Sequence, residues 1–186
     1  MGNATASLLT AARALTAGAV IAYPTEAVYG LGCLPTRPDT LQRLIALKHR
    51  PAGKGLILIG ASPAQLAPYT HGMSADDWRI FAAAHRQPIT WLVPAAAGIP
   101  ELLTGGRETI ALRITRHPLA RQLCLASGNA IVSTSANLSG QPPSRDFARI
   151  APQLRRNLDL VLVGQCGSAR RPSQIRDLRS GQLLRL

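Results

Sequence analysis

Lysine is almost missing from this chain: Lys48 and Lys54 are the only two among 186 residues, against nineteen arginines. Acidic side chains number only nine, and aromatics make up 4%. So few aromatics give no sign of the stacking platforms that single-stranded RNA readers use. No apolar run reaches the ~18 residues a membrane helix needs. The N-terminus has no basic stretch leading into an apolar core and cleavage site, so the expected compartment is the cytoplasm. Cys33, Cys124 and Cys166 stand far apart, without a C-x-x-C pair or a cysteine–histidine cluster. That spacing offers no zinc site and predicts reduced thiols. P-loop, zincin and serine-hydrolase motifs are all absent. No pair of carboxylates suggests acid–base work, apart from Asp76-Asp77 at a helix start.

What is present is a foldable, strongly basic chain. Apolar residues reach 46% and charged ones 16%, which excludes disorder, collagen and coiled coil as the main state. The length predicts a single domain over 1–186. The net charge is +12. Residues 1–100 carry eight basic and four acidic side chains, and the remainder thirteen and five. With no block of like charge, this reads as a basic folded surface, suited to phosphate in a nucleotide or in RNA. A soluble cationic protein with no nucleic-acid role has the same composition.

Hydrophobic spacing predicts helices over 5–17, 38–48 and 118–126, and another from 144 to 150. Ser74 with Asp77 forms a capping-box signal for a further helix. Short apolar runs predict strands over 19–23, 56–59, 89–93, 109–114, 130–132, 160–163 and 182–185. Residues 24–32 read as a loop. Strands and helices interleave without clean β-α-β alternation, which predicts an α/β fold with a mixed, twisted, open sheet and flanking helices.

Four segments carry candidate chemistry. Thr25-Glu26 with Tyr29 follows a buried strand, where open α/β sheets place ligands; an ordinary Pro- and Gly-containing turn would look the same. Lys48-His49-Arg50-Pro51-Ala52-Gly53-Lys54 puts three cations on one irregular stretch, and both lysines of an arginine-biased chain lie in it. Compact ammonium charges suit single phosphate oxygens, although solvated basic loops are common. Ser133-Thr134-Ser135-Ala136-Asn137 offers short polar groups at a strand end, for phosphate, ribose or a metal-bound water, or for simple capping. Arg170-Arg171-Pro172-Ser173 is a basic turn. Arg113, on a strand that otherwise reads as buried, needs an anionic partner, which a substrate could supply.

Together these segments resemble the Sua5/YciO/YrdC family in its short, single-domain bacterial form. The matching stretches run from Tyr23-Pro-Thr-Glu-Ala-Val-Tyr-Gly-Leu-Gly-Cys33 through Leu47-Lys-His-Arg-Pro51 and Lys54-Gly-Leu-Ile-Leu-Ile59. Ala111-Leu-Arg-Ile114, His117-Pro118, Ser133-Thr-Ser-Ala-Asn-Leu-Ser-Gly140 and Pro172-Ser-Gln-Ile-Arg-Asp177 follow in the family's order. The resemblance implies a YrdC/RibB-like fold with a basic concave surface. It implies formation of threonylcarbamoyl-adenylate and pyrophosphate from L-threonine, bicarbonate or CO2, and ATP, with magnesium held through the ATP phosphates. The product would serve N6-threonylcarbamoyladenosine formation on tRNA beside the anticodon, through separate transfer proteins.

By motif position, Lys48 and Arg50 would be catalytic and, with Lys54, would bind ATP phosphates. Thr90, Ser133, Ser135, Asn137 and Ser173 would complete the ATP site, and Thr25 and Arg113 would hold threonine. Two positions depart from the family pattern. An aromatic-Pro-Gly-Pro-x-Thr stretch is replaced by His85-Arg86-Gln87-Pro88-Ile89-Thr90, and an acidic residue by Leu34. Affinity for tRNA or double-stranded RNA is expected of the same protein; the competing expectation is a non-catalytic module binding tRNA or ribosomal RNA on the same basic concavity.

Overall fold

A computed structural model describes residues 7–185; the first two positions of the helix expected over 5–17 lie outside them. The helices are α1 (Leu8–Thr16), α2 (Pro38–Leu47), α3 (Pro63–Leu66), α4 (Ala75–Ala82), α5 (Glu101–Thr104), α6 (Pro118–Ser127) and α7 (Pro152–Arg156). The strands are β1 (Ile21–Pro24), β2 (Tyr29–Gly32), β3 (Ile57–Gly60), β4 (Ile89–Pro94), β5 (Thr109–Ile114), β6 (Ile131–Ser135), β7 (Leu160–Val161), β8 (Gln174–Asp177) and β9 (Leu183–Arg185). Among the described residues these nine strands form one open sheet in the order β7-β1-β2-β6-β3-β5-β4-β8-β9. The pairs β1/β7, β3/β5 and β4/β8 are parallel and the others antiparallel. The mixed sheet expected from the interleaved elements is therefore present.

Side chains alternate across the sheet as the pleat requires. Ile21, Tyr23, Ile59 and Ile131 pack with Ala11, Leu15, Leu123 and Cys124 of α1 and α6. Val20, Ala22, Leu58 and Val132 turn to the opposite face, against Leu41 and Leu44 of α2. Burial on both faces explains why these strands read as continuous apolar runs. Helix ends follow local chemistry. The Ser74 hydroxyl accepts from the Asp77 N–H at 3.1 Å while the Asp77 carboxylate accepts from the Ser74 N–H at 2.9 Å, the reciprocal box that starts α4. Pro118 opens α6, and Gly128, at φ 68°, closes it.

Two expectations are corrected. Residues 24–32 are not all loop, because 29–32 form β2, hydrogen-bonded between β1 and β6. Its two glycines read as turn residues, yet Gly32 is required by proximity: a Cβ there would lie 2.3 Å from the Val132 carbonyl oxygen. The helix expected over 144–150 shrinks to a 3-10 turn at Phe147–Arg149. The Ser144 carbonyl is taken by the Tyr29 N–H at 2.8 Å, and Asp146 caps the Ala148 N–H at 2.9 Å. Tertiary pairing and a local Asp cap displace the first helical turn. None of the helices among the described residues is long and apolar enough to cross a membrane.

Candidate active site

Register places the polar site on the face that α1 and α6 cover elsewhere. Ile59 pairs with Arg113 and Ile57 with Ser133, so these residues share a face. Where the helices stop, a hollow of about 260 Å³ opens, lined among others by Thr25, Arg50, Arg113, Ser133, Ser173 and Arg185. Ser135 also lines it. Residues separated by more than a hundred positions in the chain are thereby brought together at strand ends.

Each lining group is held in a defined way. Thr25 is buried in the turn between β1 and β2, and its hydroxyl donates to the Val28 carbonyl at 2.7 Å. With its proton committed, that oxygen offers lone pairs only, which suits an amine. Arg50 donates from Nε and Nη2 to the Gly55 carbonyl, at 3.1 and 2.7 Å. One edge of the fork is thus tied to its own loop. Thr90 does not line the hollow; fully buried, it shares a 2.8 Å hydrogen bond with the Ser173 hydroxyl. That bond joins β4 to the turn that precedes β8.

Arg113 is the most buried of the cations that line the hollow, its side chain 9% exposed. Its anionic partner comes from the protein itself: Glu26 Oε2 lies 3.1 Å from Nη1. Burial pushes the Glu26 carboxyl up. Arg113 first, then backbone N–H groups including that of Arg116, and the Thr115 hydroxyl outweigh this and hold it below the usual range. The Arg113 Nε is buried and has no hydrogen-bond partner, so the guanidinium still has donor capacity to offer. Arg185 donates to the Ser173 carbonyl at 3.2 Å. Burial lowers the pKa of Arg50 and of Arg185, and neighbouring guanidinia add to it: Arg185 acts on Arg50, and Arg113 on Arg185. Three mutually repelling cations against one carboxylate make a site that calls for an anion.

Lys48 stands behind this wall. It is 3% exposed, and its ammonium donates to the Ser135 carbonyl and, at 2.5 Å, to that of Asn137. Burial, and secondarily Arg50, push it down to about 8. His49 follows in the left-handed region at φ 49°, alone among the described non-glycine residues. That conformation reverses the chain between two cations, and strain of this kind gathers at functional sites. Asn137 donates to the Leu138 and Gln141 carbonyls at 2.9 and 2.6 Å, while its Oδ1 is buried without a partner.

The hollow thus gathers Thr25, Arg50, Arg113, Ser133, Ser135 and Ser173. It does not include Lys48, Lys54, Thr90 or Asn137 in its lining. Lys54 is exposed at the end of the 3-10 turn Ala52–Lys54. The altered loop His85–Ile89 lines a separate cleft of about 890 Å³ beside Arg116 and Arg170. Sequence reading assigned no task to Arg185 or to Glu26. Arg185 was visible only as a member of a terminal strand, and its pairing with Ile175, which brings it here, is non-local. Among the described residues no group of three His, Cys, Asp or Glu side chains could hold a metal.

Residues 13–186 match the Sua5/YciO/YrdC family model, described as telomere recombination. A curated protein of Halorhodospira halophila named threonylcarbamoyl-AMP synthase is 46% identical over 175 residues, 94% of this chain and 92% of its own length. One of the same name from Vibrio vulnificus is 45% identical over 93% of this chain and 94% of its own. The crystal structure of P. abyssi Sua5 complexed with L-threonine superposes with a TM-score of 0.85 at 28% identity, over 91% of this chain. This chain spans about half of that one, 50%. E. coli YciO superposes with a TM-score of 0.82 at 25% identity, over 96% of this chain and 87% of its own.

Proposed function

This chain belongs to the Sua5/YciO/YrdC family, and we propose how its hollow acts as an enzyme that makes threonylcarbamoyl-AMP. The substrates are L-threonine, bicarbonate or CO2, and ATP, the last carrying magnesium on its phosphate oxygens. The observation that carries this reading is the convergence of Arg50, Arg113 and Arg185 with hydroxyls in one small cavity. Such a set binds and orients anions and lines no hydroxyl up with a base that would activate it as a nucleophile.

None is needed. The threonine amine takes up bicarbonate with loss of water to give a carbamate. A carbamate oxygen attacks the α-phosphorus of ATP, the bond to the bridging oxygen breaks, and pyrophosphate leaves. Thr25 accepts from the amine, and Arg113 pairs with the threonine carboxylate or the carbamate. Arg50 and Lys48 bear on the phosphates and offset charge in the transition state, Lys48 through the N–H its two carbonyl partners leave free. Ser133, Ser135, Asn137 and Ser173 contact the nucleotide, Thr90 holds Ser173 in place, and Lys54, exposed at the end of its turn, attracts phosphate at longer range. Positioning and fixed charge supply the catalysis. The product would pass to tRNA modification through separate transfer proteins in the cytoplasm, and the basic surface supports tRNA affinity.

The test is incubation with ATP, labelled bicarbonate and L-threonine, with detection of pyrophosphate and labelled adenylate. Product that requires all three supports the reading. RNA binding without turnover would replace it with a non-catalytic binding module.

A further inference from the structure

The turn after β1 holds a carboxylate to which the chemistry above gives no task. Glu26 Oε1 accepts from the Arg116 N–H at 2.8 Å and from the Thr115 hydroxyl at 2.9 Å. Its Oε2 faces Arg113 Nη1 at 3.1 Å, with the Glu26 side chain 12% exposed. Glu26 does not itself line the hollow. We propose that Glu26 is the positioning residue that aims Arg113 at the substrate's carboxylate or carbamate. This rests on the reading that Arg113 takes that group.

The physical reason is the length of arginine. Four rotatable bonds would let a free guanidinium sample many orientations, and a carboxylate ligand would bear the cost of ordering it. Glu26 pins one end of the fork, and the strand end after β5 pins Glu26. The buried, unpartnered Nε–H is then left for an acceptor that the protein does not provide. Only a carboxylate can serve here: Oε1 accepts from the Arg116 N–H and the Thr115 hydroxyl, and Oε2, buried and without a hydrogen-bond partner, holds its charge against Arg113 as an ion pair. A glutamine has a single acceptor, so whichever way its amide turns, its NH2 meets another donor.

The sign of the effect separates positioning from mere charge balance. Deleting the negative charge alone would strengthen the pull of Arg113 on an anion and lower the KM for threonine. Loss of aim raises it. For Glu26→Gln we expect the threonine KM to rise at least ~10-fold, with the ATP KM within ~2-fold of wild type. Glu26→Asp keeps both acceptors one methylene shorter and recovers part of the loss. Thr115→Val removes one of the donors that hold Oε1 and raises the threonine KM ~3-fold; it tests the same support should Glu26→Gln fail to fold. Pyrophosphate release at varied threonine and varied ATP gives both constants, and thermal melts confirm folding. A threonine KM that falls, stays within ~2-fold, or rises only in step with the ATP KM overturns the role of Glu26. Absence of threonine-dependent turnover in the unmodified protein instead overturns the reading of the site.

Discussion

Replacing Lys48 by methionine separates catalysis from stability. The wild-type ammonium is buried and lowered from 10.5 to about 8. The unfolded chain therefore holds more protons between those values, and stability rises as pH climbs through that window. At 1.36 kcal/mol per unit, the charged form costs the folded state about 3 kcal/mol at pH 7. Methionine removes that cost. It also takes a donor from the Asn137 carbonyl, at about 1–3 kcal/mol, and leaves the Ser135 carbonyl with the Asn137 N–H at 2.9 Å. The two effects oppose and are similar in size, so Lys48→Met stays within about 2 kcal/mol of wild type at pH 7. Turnover nevertheless falls at least ~100-fold, because a charge contact to the transition state is gone. Denaturant titration at pH 7 and 9.5 supplies a second readout: the wild-type gain on raising pH is absent from the variant. Cys33 and Cys124, both pushed up to about 12 by burial, act in the opposite sense above pH 9, so the difference between the two proteins is the quantity to compare. Turnover within ~10-fold of wild type, or the same pH response in both, refutes the reasoning.

Further outcomes follow from the same geometry. Arg113→Lys loses the planar fork and the tie to Glu26, and its kcat/KM for threonine falls ~100-fold in a pyrophosphate-release assay. Gly32→Ala forces a Cβ to 2.3 Å from the Val132 carbonyl oxygen, which lowers stability by at least ~3 kcal/mol or prevents folding, as read by thermal melting. Arg50→Ala raises the ATP KM at least ~10-fold. Lys54→Ala, which alters an exposed charge, raises it ~3-fold at low salt and hardly at all in 0.5 M salt.

Much of the scaffold was legible from local rules. The apolar runs at 56–59, 89–93 and 109–114 became β3, β4 and β5, and the capping box at Ser74 started α4 where expected. Cys124 lies on the buried face of α6. β2 was hidden because Gly30 and Gly32 have the composition of a turn, and the reason for glycine lies on β1 and β6, the strands that flank it. The region 144–150 lost its helix to a carbonyl engaged by Tyr29. In both places a long-range contact overrode local preference, which a reading along the chain cannot weigh.

The same division runs through the site. Residue order alone determined that this is an α/β chain of basic surface, and its motifs pointed to Thr25, Arg50, Arg113, Ser133, Ser135 and Ser173, because side-chain chemistry and spacing are written locally. Folding decided which of the cations meet. It buried Lys48 against two carbonyls, left Lys54 in solvent, brought Arg185 in from the far edge of the sheet, and gave Arg113 a carboxylate from the turn after β1, far from it in the chain. Those pairings depend on strand order and register, and electrostatic interaction falls with distance in space, whatever the separation in sequence.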